Sequence, residues 1–360
     1  MDSNGNYIWA KSFGSTGTNL DIGNSLKLDL AGNIYTTGWF IGTGDFDPGT
    51  GVFNLTSTDS FASGGSPDVF IHKLNSEGNF LWAKSFGGNA ADQGNSISVD
   101  YSGNVYTTGY FTGTADFDPG LGTSNLTAVG NYSVYVQKLD SQGNYLWAKS
   151  FGDYGADVGY STAADDSGNV YTAGRFLGTT DFDPGECVSI FTSPNGQYNA
   201  FIQKMNANGN FLWARSFGGP SLDYAYSITL DSYNNVYVTG RYGNTAEFNL
   251  GFETFNLTAA GLLDVFVLKM QQTITQINDL ESCLKVIAFP NPSENIVQLT
   301  LECPINNVEL ILTDILGKIL IKEFHSHFHN SNVVLPNEKG VYFLTIKTEA
   351  SQNTLKLLKK

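Results

Sequence analysis

Pairs of carboxylates recur in the first half of the chain and are its clearest candidates for binding a cation. The segment Asp-Phe-Asp-Pro-Gly occurs three times, which gives the acidic pairs Asp45 and Asp47, Asp116 and Asp118, and Asp181 and Asp183. Residues two apart on a strand face the same side, and oxygen-rich loops bind Ca²⁺, so calcium is one interpretation. The other is a turn, in which the second carboxylate accepts backbone N–H groups before Pro-Gly reverses the chain. Because two carboxylates are few for Ca²⁺, we favour the turn and predict no other cofactor.

The remaining chemistry-bearing residues form no catalytic pattern. His72 is the only histidine before His325, so no Ser-His-Asp or Cys-His arrangement can be proposed in that part of the chain. His325, His327 and His329 alternate as Zn²⁺ or Ni²⁺ ligands on a strand would, but we interpret them as exposed strand residues. The cysteines show neither metal-ligand spacing nor a disulfide framework, with a Cys283–Cys303 bridge as the alternative. We predict no enzyme; a hydrolase or lyase is the remaining alternative.

Composition and charge restrict the class of partner. The 40 glycines, 18 tyrosines and 25 phenylalanines, with 15% charged residues, favour short strands and tight turns. Residues 1–270 contain 25 acids and 11 bases, a net charge of −14, and residues 271–360 contain nine acids and eight bases, a net charge of −1. An acidic surface repels phosphate backbones, so we predict no nucleic-acid partner. No apolar run reaches the length of a membrane span.

An internal repeat organises residues 1–270. The segment Trp-Ala-Lys/Arg-Ser-Phe-Gly starts at Trp9, Trp82, Trp147 and Trp213, at spacings of 73, 65 and 66 residues. Each unit has four strand candidates with period-2 alternation, for example Asn95–Asp100, Asn104–Phe111, Val134–Leu139 and Asn144–Phe151. Tandem four-stranded units predict an all-β fold of four β-propeller blades, because one blade cannot bury both faces alone. A β-solenoid is the alternative, although its rungs are usually shorter.

The repeat resembles the SBBP β-propeller repeat of bacterial extracellular proteins. The shared pattern is Asp-x-x-Gly-Asn-Val-Tyr-x-x-Gly, then Asp-x-Phe-x-x-Lys-Leu, then Gly-Asn-x-x-Trp-Ala-Lys-Ser-Phe-Gly, and it extends over about residues 2–270. The resemblance implies the propeller fold but no shared chemistry. Acids present once in each unit therefore serve blade geometry: Asp21, Asp92, Asp157 and Asp223. Trp39, Tyr110 and Tyr242 could stack on sugar rings, but we favour packing between blades.

The start of the chain falls inside the repeat. Met1 aligns with Leu74, Leu139 and Met205, so Asn6–Phe13 corresponds to an outermost strand, and the last unit has no such strand of its own. One interpretation is that Asn6–Phe13 closes a four-bladed ring. The other, which we favour, is that the chain is a fragment of a larger ring whose signal peptide is missing. Isolated blades would form either an open, self-associating arc or a strained ring.

Residues 285–360 differ from the repeat and follow a linker over residues 271–284. Short strand candidates at Ile296–Leu301, Val308–Asp314, Lys318–Phe324, Asn332–Leu335, Gly340–Lys347 and Thr354–Lys360 predict a small Ig-like β-sandwich. Two prolines around Asn291 give an extended entry to the first strand, and Gly317 and Gly340 suit turns.

This segment resembles the type A C-terminal sorting domain of type IX secretion. The matching residues are Pro290, Asn291 and Pro292, then Asp314, Gly317 and Lys318, then Gly340 and Tyr342, followed by a basic end. The resemblance implies a Bacteroidota protein, the type IX secretion machinery as partner, and a secreted or outer-cell-surface location. We therefore expect a non-enzymatic scaffold for binding or adhesion to an unknown protein or glycan, with a glycan-binding module of a polysaccharide-utilising system as the alternative.

Overall fold

The computed structural model describes residues 4–16, 19–58, 65–248, 255–271, 286–289, 291–348 and 352–360. The chain divides into two compact units, Met1–Pro184 with Ile190–Thr273, and Gly185–Ser189 with Ile274–Lys360. Within the described residues, no helix has the length and apolar character needed to span a membrane. The predicted linker lies almost wholly outside the described residues, as do Cys283 and Pro290.

The first unit contains four antiparallel sheets of the same construction, which are the blades. The first strands are β2 (Asp21–Leu28), β8 (Gln93–Val99), β14 (Val158–Ala164) and β20 (Tyr224–Leu230). The second strands are β3 (Ile34–Phe40), β9 (Val105–Phe111), β15 (Val170–Phe176) and β21 (Val236–Tyr242). The third strands are β6 (Asp68–Leu74), β12 (Ser133–Leu139), β18 (Asn199–Met205) and β24 (Asp264–Met270). The fourth strands are β7 (Phe80–Gly88), β13 (Tyr145–Phe151) and β19 (Phe211–Phe217).

Short ribbons connect the second and third strands of every blade. They are β4 (Thr43–Asp45) with β5 (Asn54–Thr56), β10 (Thr114–Asp116) with β11 (Asn125–Thr127), β16 (Thr179–Asp181) with β17 (Ile190–Thr192), and β22 (Thr245–Glu247) with β23 (Asn256–Thr258). A two-residue strand, β1 (Gly14–Ser15), pairs with β4, and a single 3₁₀ turn covers Pro194–Gly196. These ribbons are not predictable from the sequence pattern, because three residues are too few to show alternation.

Strand order within the blades follows the chain. The second blade runs β8, β9, β12, β13, so the tryptophan strand lies at one edge, and the first strands of successive blades contact one another. The fourth blade has three strands among the described residues, β20, β21 and β24. This stacking of first strands with the tryptophan strand outermost is the propeller arrangement that the repeat predicted.

One turn fixes each hairpin between the first and second strands; it is Asp-x-x-Gly-Asn in the first three blades and Asp-x-x-Asn-Asn in the fourth, where Asn234 has φ of +61°. In the second blade, Asp100 Oδ1 accepts the N–H groups of Ser102 and Asn104, both at 2.9 Å. Asp100 Oδ2 accepts Asn104 Nδ2 at 2.8 Å and Tyr106 OH at 3.0 Å. Gly103 has φ of +80°, a conformation that residues with a Cβ avoid. The repeated Asp, Gly, Asn and Tyr are therefore structural.

The repeated tryptophans join neighbouring blades. Trp82 Nε1 donates to Ser141 O of the second blade at 3.2 Å, and Lys73 Nζ donates to the same carbonyl at 3.1 Å. Trp147 Nε1 likewise donates to Ala207 O at 3.0 Å. These indole rings are half-buried. The reason is that the tryptophan strand is the outer edge of each blade.

Apolar clusters fill the space between blades. Between the first and second blades, Val69 and Ile71 pack with Ile97, and all three are buried. Corresponding clusters lie between the second and third blades and between the third and fourth. In each interface, the second and third strands of one blade contact the first strand of the next.

The first and fourth blades each leave one of these faces exposed. Val265 and Val267 of β24 are 76% and 77% exposed, whereas Val69 and Ile71 at the same positions of β6 are 0% exposed. On the first blade, Leu26 is 59% exposed, whereas its counterpart Ile97 is 3% exposed. The surface of β24 and the surface of β2 that correspond to the two sides of a blade interface are therefore both exposed to solvent.

The structure does not show closure of a ring by Asn6–Phe13. Among the described residues, β24 pairs with β21 alone. Trp9 Nε1 instead donates to Ser76 O of the first blade at 3.3 Å, as Trp82 does to Ser141 of the second. The N-terminal segment therefore occupies the place of a preceding blade's outermost strand, held by the same contact.

The second unit is a small β-sandwich. Its strands are β25 (Val286–Phe289), β26 (Ile296–Thr313), β27 (Ile319–Val334), β28 (Gly340–Lys347) and β29 (Gln352–Lys359). Two pairs of predicted short strands are continuous here, because β26 and β27 stay paired across a register shift between Thr300 and Ile305. Both halves of β26 contribute to one core, in which Val297 and Leu299 pack with Leu310 and Leu312.

Candidate binding site

The predicted calcium residues form a hairpin turn in the structure. Asp45 Oδ1 accepts the N–H groups of Asp47 at 3.0 Å and Phe53 at 2.9 Å, and these bonds lower the pKa of Asp45. Asp47 Oδ1 accepts Gly49 N–H at 2.7 Å. Asp116 and Asp118 repeat the pattern, and Asp181 accepts Asp183 N–H at 3.0 Å. The turn geometry therefore accounts for these residues.

Within the part of the chain that the structure describes, no three His, Cys, Asp or Glu side chains are close enough together to hold a metal ion. Calcium at the Asp-Phe-Asp-Pro-Gly turns stays a prediction, and comparison of thermal melting in CaCl₂ and in EDTA tests it. His325 lies on β27, 3.4 Å from Glu323, whereas the side chains of His327 and His329 lie outside the described residues.

His72 has a structural position beneath the turn. Its Nε2 donates to Phe46 O at 2.9 Å, and burial lowers the pKa of the imidazole to about 4. Gln137 Nε2 and Gln203 Nε2 make the same bond to Phe117 O and Phe182 O, each at 2.6 Å. A buried, neutral histidine that glutamine replaces in other blades supports the turn and has no geometry for proton transfer to a ligand.

The aromatic residues for which packing between blades was predicted, with sugar stacking as the alternative, have different environments in the structure. Tyr242 is buried at 5% exposure, Trp39 is half-buried, and Tyr110 lies 4.6 Å from Tyr132, centroid to centroid. Trp39 and Tyr110 follow a repeated glycine, and in the third and fourth blades the corresponding residues are Arg175 and Arg241. The replacement of an aromatic residue by arginine in these two blades indicates a candidate site around Arg175 and Arg241.

Arg175 and Arg241 lie within a cluster of tyrosines that spans the third and fourth blades. The Arg175 guanidinium carbon is 4.2 Å from the ring centroid of Tyr198 and 4.7 Å from that of Tyr224. The Arg241 guanidinium carbon is 4.1 Å from the same Tyr224 ring. Both cations thus stack on one buried tyrosine, an arrangement that contributes about 0.5–2 kcal/mol per contact.

Two further tyrosines complete what we name the tyrosine–arginine cluster: Tyr160, Arg175, Tyr198, Tyr224, Tyr226 and Arg241. Tyr160 and Tyr226 have ring centroids 5.2 Å apart, and Tyr226 is 42% exposed. Burial raises the pKa of Tyr160 to about 12, so its hydroxyl stays protonated at neutral pH. The cluster therefore presents aromatic rings and positively charged groups side by side at the surface.

Backbone geometry explains why the cluster stands here. Arg175 lies opposite Val158, and Arg241 lies opposite Tyr224, at the ends of paired first and second strands. Before each arginine is a glycine; a Cβ on Gly174 would be 2.0 Å from Val158 O. The first strand bulges directly after this point, which places the bulge residues Tyr160 and Tyr226 at the same end of their blades.

Among the described residues, no carboxylate forms an ion pair with either guanidinium group. In the same part of the chain, neither group donates a hydrogen bond, and the Nε atoms of Arg175 and Arg241 are buried without an acceptor. Arg175 interacts electrostatically with Asp157, whose carboxyl group accepts Asp153 N–H and Leu177 N–H and whose pKa burial raises to about 7. Compensation of the two positive charges is therefore incomplete.

Sequence reasoning missed this cluster because it looked for residues that the units share. The signal was the reverse: blades three and four depart from the repeat at the same positions. The bulge residue is asparagine in the first two blades, where Asn24 and Asn95 donate to Gly94 O and Gly159 O, and tyrosine in the last two. Departures concentrated in one place indicate a site that the blade geometry does not require.

The predicted sorting residues clamp the C-terminal strand. Asn291 Nδ2 donates to Lys356 O at 2.8 Å, and its Oδ1 accepts Leu358 N–H at 2.9 Å. Asp314 caps the following turn by accepting Leu316 and Lys318 N–H groups, both at 2.9 Å, and Gly317 has φ of +82°.

The other predicted sorting residues have different roles. Tyr342 is buried and donates its hydroxyl to Glu338 O at 2.8 Å. Pro292 follows a cis peptide bond, and Pro290 lies outside the described residues. Gly340 is the exception to the turn expectation, since it begins β28 with open space around it and no positive φ.

The fold and these motifs define a β-propeller repeat protein with a C-terminal β-sandwich. The chain carries SBBP-type propeller repeats and a type IX secretion sorting domain. A family model described as "Beta-propeller repeat" matches residues 81–118 and 212–241, and one described as "Secretion system C-terminal sorting domain" matches residues 287–360. The sorting domain implies handling by the type IX secretion machinery and export from the cell.

Similar proteins have diverse descriptions. An uncharacterized WD repeat-containing protein of Acanthamoeba polyphaga mimivirus is 26% identical over 219 residues, 54% of this chain and 16% of the relative. The regulatory protein FlaEY of Caulobacter vibrioides is 25% identical over 189 residues, 51% of this chain and 19% of the relative. The matches thus span less than a fifth of either relative.

Among solved structures, PorZ, a surface component of the type-IX secretion system of Porphyromonas gingivalis, is 13% identical to this chain. The superposition has a TM-score of 0.27 and covers 97% of this chain and 39% of that one.

Proposed function

We propose that this exported propeller is a non-enzymatic scaffold that binds a macromolecule outside the cell through the tyrosine–arginine cluster. The observation that carries the proposal is the joint departure of the third and fourth blades from their own repeat. Asparagine becomes tyrosine at Tyr160 and Tyr226, and an aromatic residue becomes arginine at Arg175 and Arg241. Blade packing alone gives no reason for these changes, because the first two blades pack without them.

The composition of the cluster suits binding. Tyrosine and arginine are the residues that contribute most to recognition surfaces, because each joins a large apolar face to a polar group. Tyr226 is 42% exposed, and the other members, apart from the buried Tyr224, are half-exposed, so a ligand can reach them from solvent. Six such side chains from two adjacent blades form a rigid platform, since each stands at a strand end.

Repeat-reverting substitutions test the proposal with little risk to the fold. Tyr160→Asn with Tyr226→Asn restores the asparagine of the first two blades. The purified full chain would be assayed for retention on a panel of insoluble polysaccharides, matrix proteins and bacterial cells. Binding should weaken at least tenfold in this variant. A matched control removes two exposed tyrosines elsewhere, Tyr101→Asn with Tyr233→Asn, which are 73% and 81% exposed.

Equal retention of the wild-type chain and the cluster variant would show that binding occurs elsewhere. Absence of retention on every member of the panel would remove the proposal altogether.

A further inference from the structure

We propose that the tyrosine–arginine cluster binds acidic polysaccharide, with Arg175 and Arg241 pairing the carboxylate or sulfate groups of the sugar chain. The inference rests on the proposed function and names the class of its ligand. Its starting point is electrostatic: residues 1–270 carry a net charge of −14 and only 11 basic residues. Two of those 11 lie together on one tyrosine ring, without an ion pair in the described residues.

Bringing two cations together costs free energy unless something compensates them. Both guanidinium carbons lie within 5 Å of the Tyr224 centroid, at 4.7 Å and 4.1 Å, and both side chains are half-buried, where solvent screens charge less than at an open surface. Stacking on tyrosine offsets part of the cost but supplies no hydrogen-bond acceptor. An anion with several oxygens would supply the missing acceptors, since a guanidinium pairs with carboxylate or sulfate through two parallel bonds.

The aromatic part of the cluster favours a sugar chain over a small inorganic anion. Tyr226 presents the most exposed ring, and Tyr160 lies 5.2 Å away in the neighbouring blade. Ring faces pack against the C–H groups of a pyranose, while the neighbouring cations take its charged substituent. The site thus has two unlike parts side by side, as recognition of an anionic sugar requires.

The negative charge around the cluster restricts where an acidic ligand can bind, because its acidic groups must lie at the cluster itself. An acidic polymer approaching other parts of the propeller is repelled, so long-range attraction does not explain binding here. Only a short anionic stretch that reaches Arg175 and Arg241 gains the paired hydrogen bonds. Binding should therefore weaken with added salt by a small factor, because two ionic contacts are formed.

Matched pairs of polymers test whether binding depends on an anionic group of the ligand, and whether that group is a sulfate or a carboxylate. The full chain is titrated with dextran sulfate against dextran, and with polygalacturonate against its methyl ester, by calorimetry or biolayer interferometry. In each pair the sugar backbone is the same and only the anionic group differs. We expect at least one acidic member to bind at least tenfold more tightly than its neutral counterpart; which one binds separates sulfate from carboxylate recognition.

Reverting the arginines tests the site. Arg175→Tyr with Arg241→Tyr installs the residue of the second blade and should weaken acidic-polymer binding at least tenfold. Lys11→Gln with Lys27→Gln removes two exposed positive charges elsewhere, changes net charge equally, and should leave affinity within about twofold. If circular dichroism shows that the double tyrosine variant does not fold, Arg175→Gln with Arg241→Gln takes its place.

The inference is overturned if acidic and neutral polymers bind alike, or if the arginine and lysine variants lose affinity equally. It also fails, with the proposed function intact, if a macromolecule is retained through Tyr160 and Tyr226 independently of both arginines. Absence of binding to any macromolecule removes both.

Discussion

His72 Nε2 donates a hydrogen bond of 2.9 Å to Phe46 O, at the place where Gln137 Nε2 donates one of 2.6 Å to Phe117 O in the next blade. Burial lowers the pKa of His72 to about 4, so the folded chain excludes the proton that the unfolded chain takes up below about pH 6.5. The histidine's contribution to stability is therefore complete above pH 6.5 and is lost as the pH falls toward 4.

His72→Gln should remove that loss. The free energy of unfolding of the variant, taken relative to that of the wild-type chain, should be about 2 kcal/mol larger at pH 5 than at pH 7, so the variant gains relative stability in acid. Urea denaturation at the two pH values measures it. An unchanged difference between the two proteins would mean that His72 is not buried in its neutral form.

Asp92 and Asp157 predict a pH dependence of opposite sign. Burial raises the pKa of both carboxyl groups to about 7, so the folded chain keeps protons that the unfolded chain releases near pH 4. Stability should fall as the pH rises from about 4 to about 7, by up to about 1.4 kcal/mol per pH unit for each group. Asp92→Asn with Asp157→Asn should flatten this slope in urea titrations, whereas Asp166→Asn, at an exposed position, should not.

The hydrogen bond from Trp147 to the next blade predicts a loss of stability whose size depends on the residue that replaces the tryptophan. Trp147→Ala removes a half-buried ring and the bond to Ala207 O, and should cost about 3 kcal/mol of unfolding free energy. Trp147→Phe retains most of the packing and should cost about 1 kcal/mol. Equilibrium denaturation measures both. A loss below about 0.5 kcal/mol for the alanine variant would contradict the bridging role.

The exposed faces of the first and fourth blades predict self-association of the chain. Val265 and Val267 present the surface that Val69 and Ile71 bury against the next blade, and Leu26 presents its complement. Light scattering after gel filtration should show oligomers that grow with concentration. Val265→Thr with Val267→Thr should shift the population toward monomer. A monomeric wild-type chain at high micromolar concentration would contradict the expectation.

The sorting domain yields a prediction for export. Asn291→Ala removes both bonds to β29, at Lys356 O and Leu358 N–H, and should loosen the last strand. Expressed behind a signal peptide in a type IX-competent host, the variant should accumulate in the periplasm while the wild-type domain passes to the surface. Immunoblots of cell fractions measure this. A matched substitution at the exposed Lys347, which lies outside the sorting motif, Lys347→Gln, should leave export unchanged.

Much of the fold could be predicted from local sequence. The second and third strands of the second blade, Val105–Phe111 and Ser133–Leu139, lie within a residue of their predicted bounds, because alternation and Gly-Asn turns specify a hairpin within a few residues. The sorting motif was readable through its family resemblance, and Asp314 acts on nearby backbone, but the bonds of Asn291 to Lys356 and Leu358 join distant parts of the chain and were not predicted. The continuity of the two long strands of the sandwich could not be predicted, because a register shift within a strand pair has no recognisable local sequence pattern.

What the sequence by itself determined is the repeat: the blades, their turns and the export domain. Residues needed once per unit recur once per unit, so periodicity shows them. Only the tertiary structure decided which residues meet across blades. Arg175 and Tyr224 are 49 positions apart and come within 4.7 Å because adjacent blades place equivalent strand ends side by side. That proximity follows from the packing of the third blade against the fourth, which depends on all of their buried side chains together and on no single motif.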